Sequence, residues 1–427
     1  MGRGFTVGAA LAAALSGTSG LAQPRAPAAP PGVLPSQPAG DVCPAGGRNV
    51  ADTFAPKPAF PEQTRAPRAA PSTGYRVEVV ASGLEHPRSL APLPDGRLLL
   101  ADAKRRLRIV GRDGALSAPL GGVPAFDTPG PAGIMDVALD PGFARNRVLY
   151  LAYVMPKPGA PLVNGRPSAL TGRIVRARLT AAGDALEPGQ VIYEGGRVRR
   201  LLPRADGTLV FTTAFGSGDP GPEGDAPQRL DDDAGKVLRI RTDGSPPPDN
   251  PFAGRRGALP AVFAYGLRDA DGVAQDARGR IWTVEHGPRG GDELNLIGPG
   301  KNYGYPVISY GRTYGEALID NGLTAKAGLE QPVYYWSPDI APSGLLVYSG
   351  AMFPAWKGDV FVGGLVAQSL VRLSLKDGKV ASEEFLLASR CKRVRDVRQG
   401  IDGAIYVLTD ADDGELLRLV ADRPARR

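Results

Sequence analysis

Six times along this chain a turn containing Gly and Asp hands over to a short apolar strand. Asp95-Gly96 precedes RLLLAD, Asp140-Pro141-Gly142 precedes RVLYLAY, and Asp206-Gly207 precedes TLVFTT. Asp276 to Gly279 precedes RIWTV, Lys357-Gly358-Asp359 precedes VFVGGL, and Asp402-Gly403 precedes AIYVLTD. Asp and Gly supply the backbone conformations that tight turns need, and β-branched and aromatic residues suit the strands that follow. The units recur every 45 to 80 residues or so, the period of propeller blades carrying insertions. A blade buries its faces only against its neighbours, so such a ring must close, with a strand from one terminus completing the last blade. The expected fold is therefore all-β, a six-bladed β-propeller over residues 74–421, with two stacked β-sandwiches as the alternative. The 57 glycines and 42 prolines among 427 residues, and the lack of long helix-forming runs, agree with either.

The flanks read differently. Residues 1–22 have the form of a signal peptide: Arg3, then an Ala-rich apolar core from Phe5 to Leu15, then Gly20 and Ala22 before a cut near Gln23. The mature protein is then periplasmic or secreted. Residues 23–73 are Pro/Ala-rich, too poor in apolar residues to fold alone, and are expected to form an extended arm or tether. Residues 422–427 form a basic tail. Beyond the N-terminus no apolar run is long enough to span a bilayer. Two cysteines, Cys43 and Cys391, suit one bridge from the arm to the last structural unit in an oxidising compartment. Their number excludes a cysteine zinc site and a CxxCH haem site. The net charge is +7, with basic clusters at Lys104–Arg108, Arg197–Arg200 and Lys392–Arg398. No recognition-helix pattern or aromatic platform accompanies them, which argues for a solvated basic surface and against nucleic acid.

One stretch departs from the needs of an ordinary hairpin. After the strand around Trp282 comes Glu285-His286-Gly287-Pro288-Arg289-Gly290-Gly291-Asp292-Glu293. Three glycines and a proline leave carbonyls outside strand pairing, with carboxylates among them, a donor set suited to a hard cation such as Ca2+. In a propeller the loops at one mouth of the central channel converge, and this loop is a candidate to lie there.

These residues, with VVASGLEHPRSLAPLPDGRLLLAD, GIMDVALDPGFARNRVLYLAYV, GKVLRIRTDGSPPPDNPF, EHGPRGGDELN…GKNYGYP, WSPDIAPSGLLVYSG and RVRDVRQGIDGAIYVLTD, resemble the soluble PQQ-dependent sugar dehydrogenases, the glucose/sorbosone dehydrogenase family with its aldose sugar dehydrogenases. The resemblance covers nearly all of Tyr75 to Val420 and implies a six-bladed propeller. It implies an active-site Ca2+ on the carbonyls of Gly287 and Pro288, and a second Ca2+ on Glu293 and the carbonyl of Tyr303. It places PQQ contacts at Arg268, Asp269, Tyr314, Trp336, Arg393 and Arg395; arginines suit the three carboxylates of PQQ and aromatics its plane. It also implies a small sugar or alcohol substrate and a periplasmic electron acceptor.

The departures are informative. Where the family has a base histidine in a pattern like HFGSRLxFxxDG, this chain has GRVRRLLPRADG, with Gly196 in the histidine's place. Phe215 stands for the aspartate that orients it, Pro131 for a glutamine, Asp269 for an asparagine and Val366 for a lysine that contacts the cofactor. His286, one of only two histidines, is the candidate to replace the base, with Asp219 and Asp269 behind it. Three activities follow for testing: a PQQ- and Ca2+-dependent sugar or alcohol dehydrogenase with an altered base; a Ca2+-stabilised propeller that has lost catalysis and binds a carbohydrate or protein; and a Ca2+-dependent lactonase-type hydrolase.

Overall fold

In the computed structural model, residues 33–34, 55–69, 74–102, 105–124, 133–163, 166–167, 169–215 and 224–422 are described. Each of the six turns found in the sequence joins the first and second strands of a blade. Blade one is Ser89–Pro92, Leu98–Ala101 and Leu107–Val110. The other blades open with Gly133–Leu139, Arg197–Pro203, Ala270–Gln275, Pro342–Val347 and Val394–Gln399, each followed by antiparallel neighbours. These six opening strands touch one another in sequence around a ring, and blade six returns to blade one. The chain is a six-bladed β-propeller, as the repeat requires.

Closure comes from the N-terminal side. Tyr75–Leu84 pairs antiparallel with Gly414–Ala421 as the outer strand of blade six, and Val33–Leu34 pairs beyond it. Part of the Pro/Ala-rich segment lies on the propeller. Gln63 donates to the carbonyl of Pro332, the Ala66 amide to the Tyr334 hydroxyl, and the Ala69 amide to the carbonyl of Glu383, so this segment straps blades four and five. Cys391 is disulfide-bonded. Cys43, the signal-peptide segment, Pro131, Asp219 and the basic tail lie outside the described residues.

Among the described residues the apolar interior falls into six clusters, one at each seam between blades. Trp282 fills the seam of blades four and five, and Trp356 that of blades five and six; both are fully buried. Large side chains buried in this way stabilise by roughly 1.5–3 kcal/mol each, so every blade depends on both neighbours. No helix in the described residues is long and apolar enough to cross a membrane.

The channel is lined by the opening strands, and five of them carry a bulge or register shift, at Ile134/Asp136, Val198/Leu201, Ala270/Gly272, Ser343/Leu345 and Val394/Asp396. A bulge re-aims side chains, and here successive residues such as Arg199 and Arg200 both engage channel partners. The deeper of these residues form a polar plug. Arg200, 2% exposed, lies 3.6 Å from Asp136 and 3.7 Å from Asp396 and donates through Nε to the carbonyl of Asp271 at 2.8 Å. Arg398 reaches the same two carboxylates at 2.9 and 3.1 Å, and Ser89 donates to Asp136. Replacing Arg200 by Met strands two buried carboxylates with Arg398 alone, and the expected loss is about 3–5 kcal/mol of unfolding free energy. Urea unfolding followed by the fluorescence of the buried tryptophans measures it; a loss below about 1 kcal/mol would show that the plug is not structural.

Candidate active site at the channel mouth

The ladders put the opening strands in a common register. Their last paired residues before the turn are Pro92, Leu139, Pro203, Gln275, Val347 and Gln399. Four residues back, at one level of the channel, stand Arg88, Met135, Arg199, Asp271, Ser343 and Arg395. Two residues further out, at the rim, stand His86, Gly133, Arg197, Asp269, Ala341 and Arg393. Two layers above the plug thus hold five arginines and two aspartates, before Arg268 is added.

Asp271 is the hub of the inner layer. His286 Nε2 lies 3.9 Å from its Oδ2, Arg395 at 3.7 Å and Arg200 at 3.9 Å. Burial opposes its charge, but the nearby His286 and the charges of Arg200, Arg199 and Arg88 hold its carboxyl well below the usual range. Asp271 is therefore a fixed anion beside the imidazole of His286. Asp410 plays a similar part at the rim: it takes Arg395 at 2.6 Å, Arg393 at 3.4 Å and His86 at 2.7 Å. Burial raises its carboxyl, but Arg395, His86 and Arg393 outweigh that and bring it down to about 2. Asp269 is held bidentately by Arg199 at 2.8 and 2.9 Å, which removes it as a free base.

The loop from His286 to Gly291 is built by carboxylates from beneath. Asp292 accepts the Gly287 amide through Oδ1 and the amides of Ile340 and Ala341 through Oδ2, and Asp339 accepts the Gly290 amide. The loop folds back so tightly that a Cβ on Gly287 would meet the Gly290 carbonyl oxygen at 2.1 Å, so only glycine fits. Arg268, 2% exposed, donates to the carbonyls of His286 at 3.0 Å and Gly287 at 3.3 Å, and its guanidinium lies 5.9 Å from the ring of half-exposed Tyr314.

Arg268, Asp269, His286, Gly287, Pro288, Arg393 and Arg395 thus belong to the mouth or its loop, with Tyr314 at its edge. Trp336 does not. It is 5% exposed, packs edge-on against Tyr334 in the seam of blades four and five, and donates its indole N–H to Glu383 at 2.7 Å. Glu293 and Tyr303 lie outside the mouth with Glu285. Asn295 donates to both glutamates, at 2.8 Å to Glu285 and 3.1 Å to Glu293. Burial pushes the Glu285 carboxyl up to about 7, and burial together with Glu285 pushes Glu293 well above its usual range. Two enclosed carboxylates sharing one amide fit a divalent cation with oxygen donors. At Gly287 and Pro288 the donors are also oxygens, and Asp339 Oδ1 beside the loop is buried without a partner, which fits a hard cation too. Among the described residues no cluster of three or more metal-binding side chains occurs, so the several-carboxylate calcium centre expected of a lactonase-type site is not seen.

The residues missed in the sequence are Arg88, Arg199, Asp271, Asp410 and His86. A signal existed: RVRR in blade three and RVRD in blade six hold the same register, so Arg199 and Arg395 face one channel. Position 196 is also changed in kind. Its amide donates to Asp233 at 2.8 Å, and a Cβ there would lie 2.6 Å from Asp233 Oδ1 and 3.2 Å from the Asp233 carbonyl oxygen. Asp233 is tied to the Tyr193 hydroxyl at 2.6 Å, so no side chain enters at 196 without moving it.

The chain belongs to the glucose/sorbosone dehydrogenase family, which residues 84–418 match. It is 37% identical over 359 residues to the aldose sugar dehydrogenase YliI of Escherichia coli (strain K12), covering 82% of this chain and 94% of that protein. The crystal structure of the soluble aldose sugar dehydrogenase from Escherichia coli in its apo form superposes with a TM-score of 0.74 at 33% identity, covering 82% of this chain and all of that one. The PQQ-bound aldose sugar dehydrogenase from Streptomyces coelicolor gives a TM-score of 0.63 at 27% identity, covering 83% of this chain and all of that one.

The Glu285 carboxyl supplies a pH test. Its folded value of about 7 lies above the ordinary 4.5, so the folded protein keeps a proton that the unfolded chain releases. Its contribution to stability is full below about 4.5 and is lost as pH rises to about 7. Glu285→Gln should narrow the difference in urea midpoint between about pH 4.5 and about pH 8 in chelator-treated protein. An unchanged difference would contradict the burial of an ionisable pair here.

Proposed function

We propose that this chain is an exported dehydrogenase that uses PQQ and Ca2+ to oxidise a sugar, with His286 as the base that replaces the histidine absent at position 196. The observation carrying this reading is the pairing of His286 with Asp271 in a mouth that also holds Arg268 and Arg395. Asp271 stays ionised beside the imidazole on its Nε2 side, so it favours the tautomer protonated there, leaves Nδ1 to take a hydroxyl proton, and stabilises the imidazolium that forms. Gly196 and Phe215 offer no titratable side chain, and Asp269 is committed to Arg199.

PQQ, when bound, supplies the two-electron acceptor that takes hydride from the carbon bearing that hydroxyl. Arg268, Arg393 and Arg395 would hold its carboxylates, and the carbonyls of Gly287 and Pro288, with Asp339, would hold Ca2+. Glu285, Glu293 and the Tyr303 carbonyl would hold the second Ca2+. Export rests on the N-terminal pattern, and the disulfide at Cys391 belongs in an oxidising compartment. Electrons then leave for a periplasmic acceptor.

A second reading, a Ca2+-stabilised propeller that binds a carbohydrate or protein without oxidising it, draws on the closure of position 196 by Asp233. Turnover separates the two. Protein loaded with PQQ and Ca2+ should reduce an artificial electron-accepting dye in the presence of sugar, and His286→Ala should lower kcat about 10²–10⁴-fold. Gly196→His should not raise activity, because Asp233 occupies the entry. Sugar-dependent turnover that survives His286→Ala unchanged would assign the base elsewhere. Its absence in loaded wild-type protein would favour the binding propeller.

A further inference from the structure

We infer that the sugar this mouth selects carries an anionic group, a carboxylate or phosphate, held by Arg88 of blade one and Arg197 of blade three. The inference rests on the dehydrogenase reading for the word sugar; the anion site itself rests on how the charges are paired.

Arg268 donates to the loop carbonyls of His286 and Gly287; among the described residues the other mouth arginines divide into two sets. Arg199, Arg393 and Arg395 have carboxylates within ion-pair reach, on Asp269, Asp410 and Asp271. Arg88 and Arg197 have none: Asp269 is held from both oxygens by Arg199, while Asp271 and Asp410 are shared among cations already named. Among the described residues the one side-chain hydrogen bond of Arg197 runs from Nη2 to the carbonyl of Phe215 at 2.8 Å. Both unpaired cations stand beside further arginines. Burial, Arg395, Arg199 and Arg200 press the Arg88 guanidinium down to about 9 despite Asp271, and burial with Arg199 and Arg268 lowers Arg197. Guanidinium groups gathered without counter-charge and partly dried are a site prepared for an oxyanion, which they bind through paired N–H donors.

Position argues for the substrate as the source of that anion. The side chains matching the family's quinone contacts lie on blade four and blade six, as Arg268, Arg393 and Arg395. Arg88 and Arg197 lie on blades one and three, and Arg197 follows Gly196 and grips Phe215. Those two positions are where the family holds its base and its orienting aspartate, the side of the mouth that serves the reacting hydroxyl. A neutral sugar offers these guanidiniums hydroxyl acceptors but no counter-charge, whereas an acidic sugar neutralises them.

The test is equilibrium binding by calorimetry to the full chain at low salt, with D-glucuronate, D-glucose 6-phosphate and D-glucose as probes. At least one acidic sugar should bind about tenfold or more tighter than glucose. That advantage should collapse in Arg88→Gln and in Arg197→Gln, and return in part in Arg88→Lys; equal urea midpoints confirm that the variants are folded. The proposal fails if glucose binds as well as both acidic sugars, or if the advantage survives both glutamine variants. It also fails if Arg88→Gln weakens PQQ binding and leaves the acidic-sugar preference intact, since the anion would then be the cofactor's. If the preference is found but loaded protein oxidises no sugar, the anion site stands and the dehydrogenase reading alone falls.

Discussion

A guanidinium at the centre of the channel ties the ring together. Arg200 reaches Asp136 of blade two, Asp271 of blade four, Ser343 of blade five and Asp396 of blade six from its own place on blade three. Blade one joins through Ser89, whose hydroxyl donates to Asp136, and through the Leu90 amide, which donates to Asp396. Six sheets whose apolar faces meet only pairwise are thereby linked through one polar network that is nearly dry. Such a network costs desolvation and gives specificity in return, because any blade out of register leaves a buried charge alone. The bulges serve the same end, since without them successive residues of one strand would point to opposite faces.

The plug also sets the electrostatics above it. Asp136 and Asp396 are taken up by the charges of Arg200 and Arg398, so the arginines of the next layers must find counter-charge elsewhere. Asp271, Asp410 and Asp269 supply part of it, Asp269 by closing on Arg199; among the described residues Arg88 and Arg197 are left without a carboxylate in ion-pair reach. Asp269, one of the departures from the family pattern, and Arg199 are a coupled pair, each supplying the other's counter-charge. The same coupling appears at position 196, where the amide of a glycine and the hydroxyl of Tyr193 fix Asp233 where a side chain would have entered. On the proposed reading, His286 beside the hub aspartate would act as the base where position 196 offers none.

How much of this was legible in the residues depends on range. The turns at Asp95, Asp206 and Asp402 each close a hairpin within a dozen residues, so local chemistry revealed the blades and their number. The loop from Glu285 to Glu293 announced itself by glycines that no strand wants, and the tight approach at Gly287 accounts for them. Trp336 was misplaced because an aromatic beside a ligand and an aromatic in a seam have the same local pattern. Its indole partner, Glu383, is on the outer strand of blade five. Arg88, Asp271 and Asp410 were invisible for the same reason: blades one, four and six meet in the channel only after closure, and pairing across it leaves no short-range mark.

The dehydrogenase reading stands or falls on whether this crowded, cationic mouth holds PQQ. The most direct measurement is an absorbance titration of chelator-treated protein with PQQ, with and without Ca2+, at two ionic strengths. Saturable binding of one PQQ per chain, strengthened by Ca2+ and weakened by salt, is expected, since arginines and a carbonyl-held cation would hold a tricarboxylate. Absence of binding at millimolar Ca2+, or binding indifferent to both Ca2+ and salt, would contradict it.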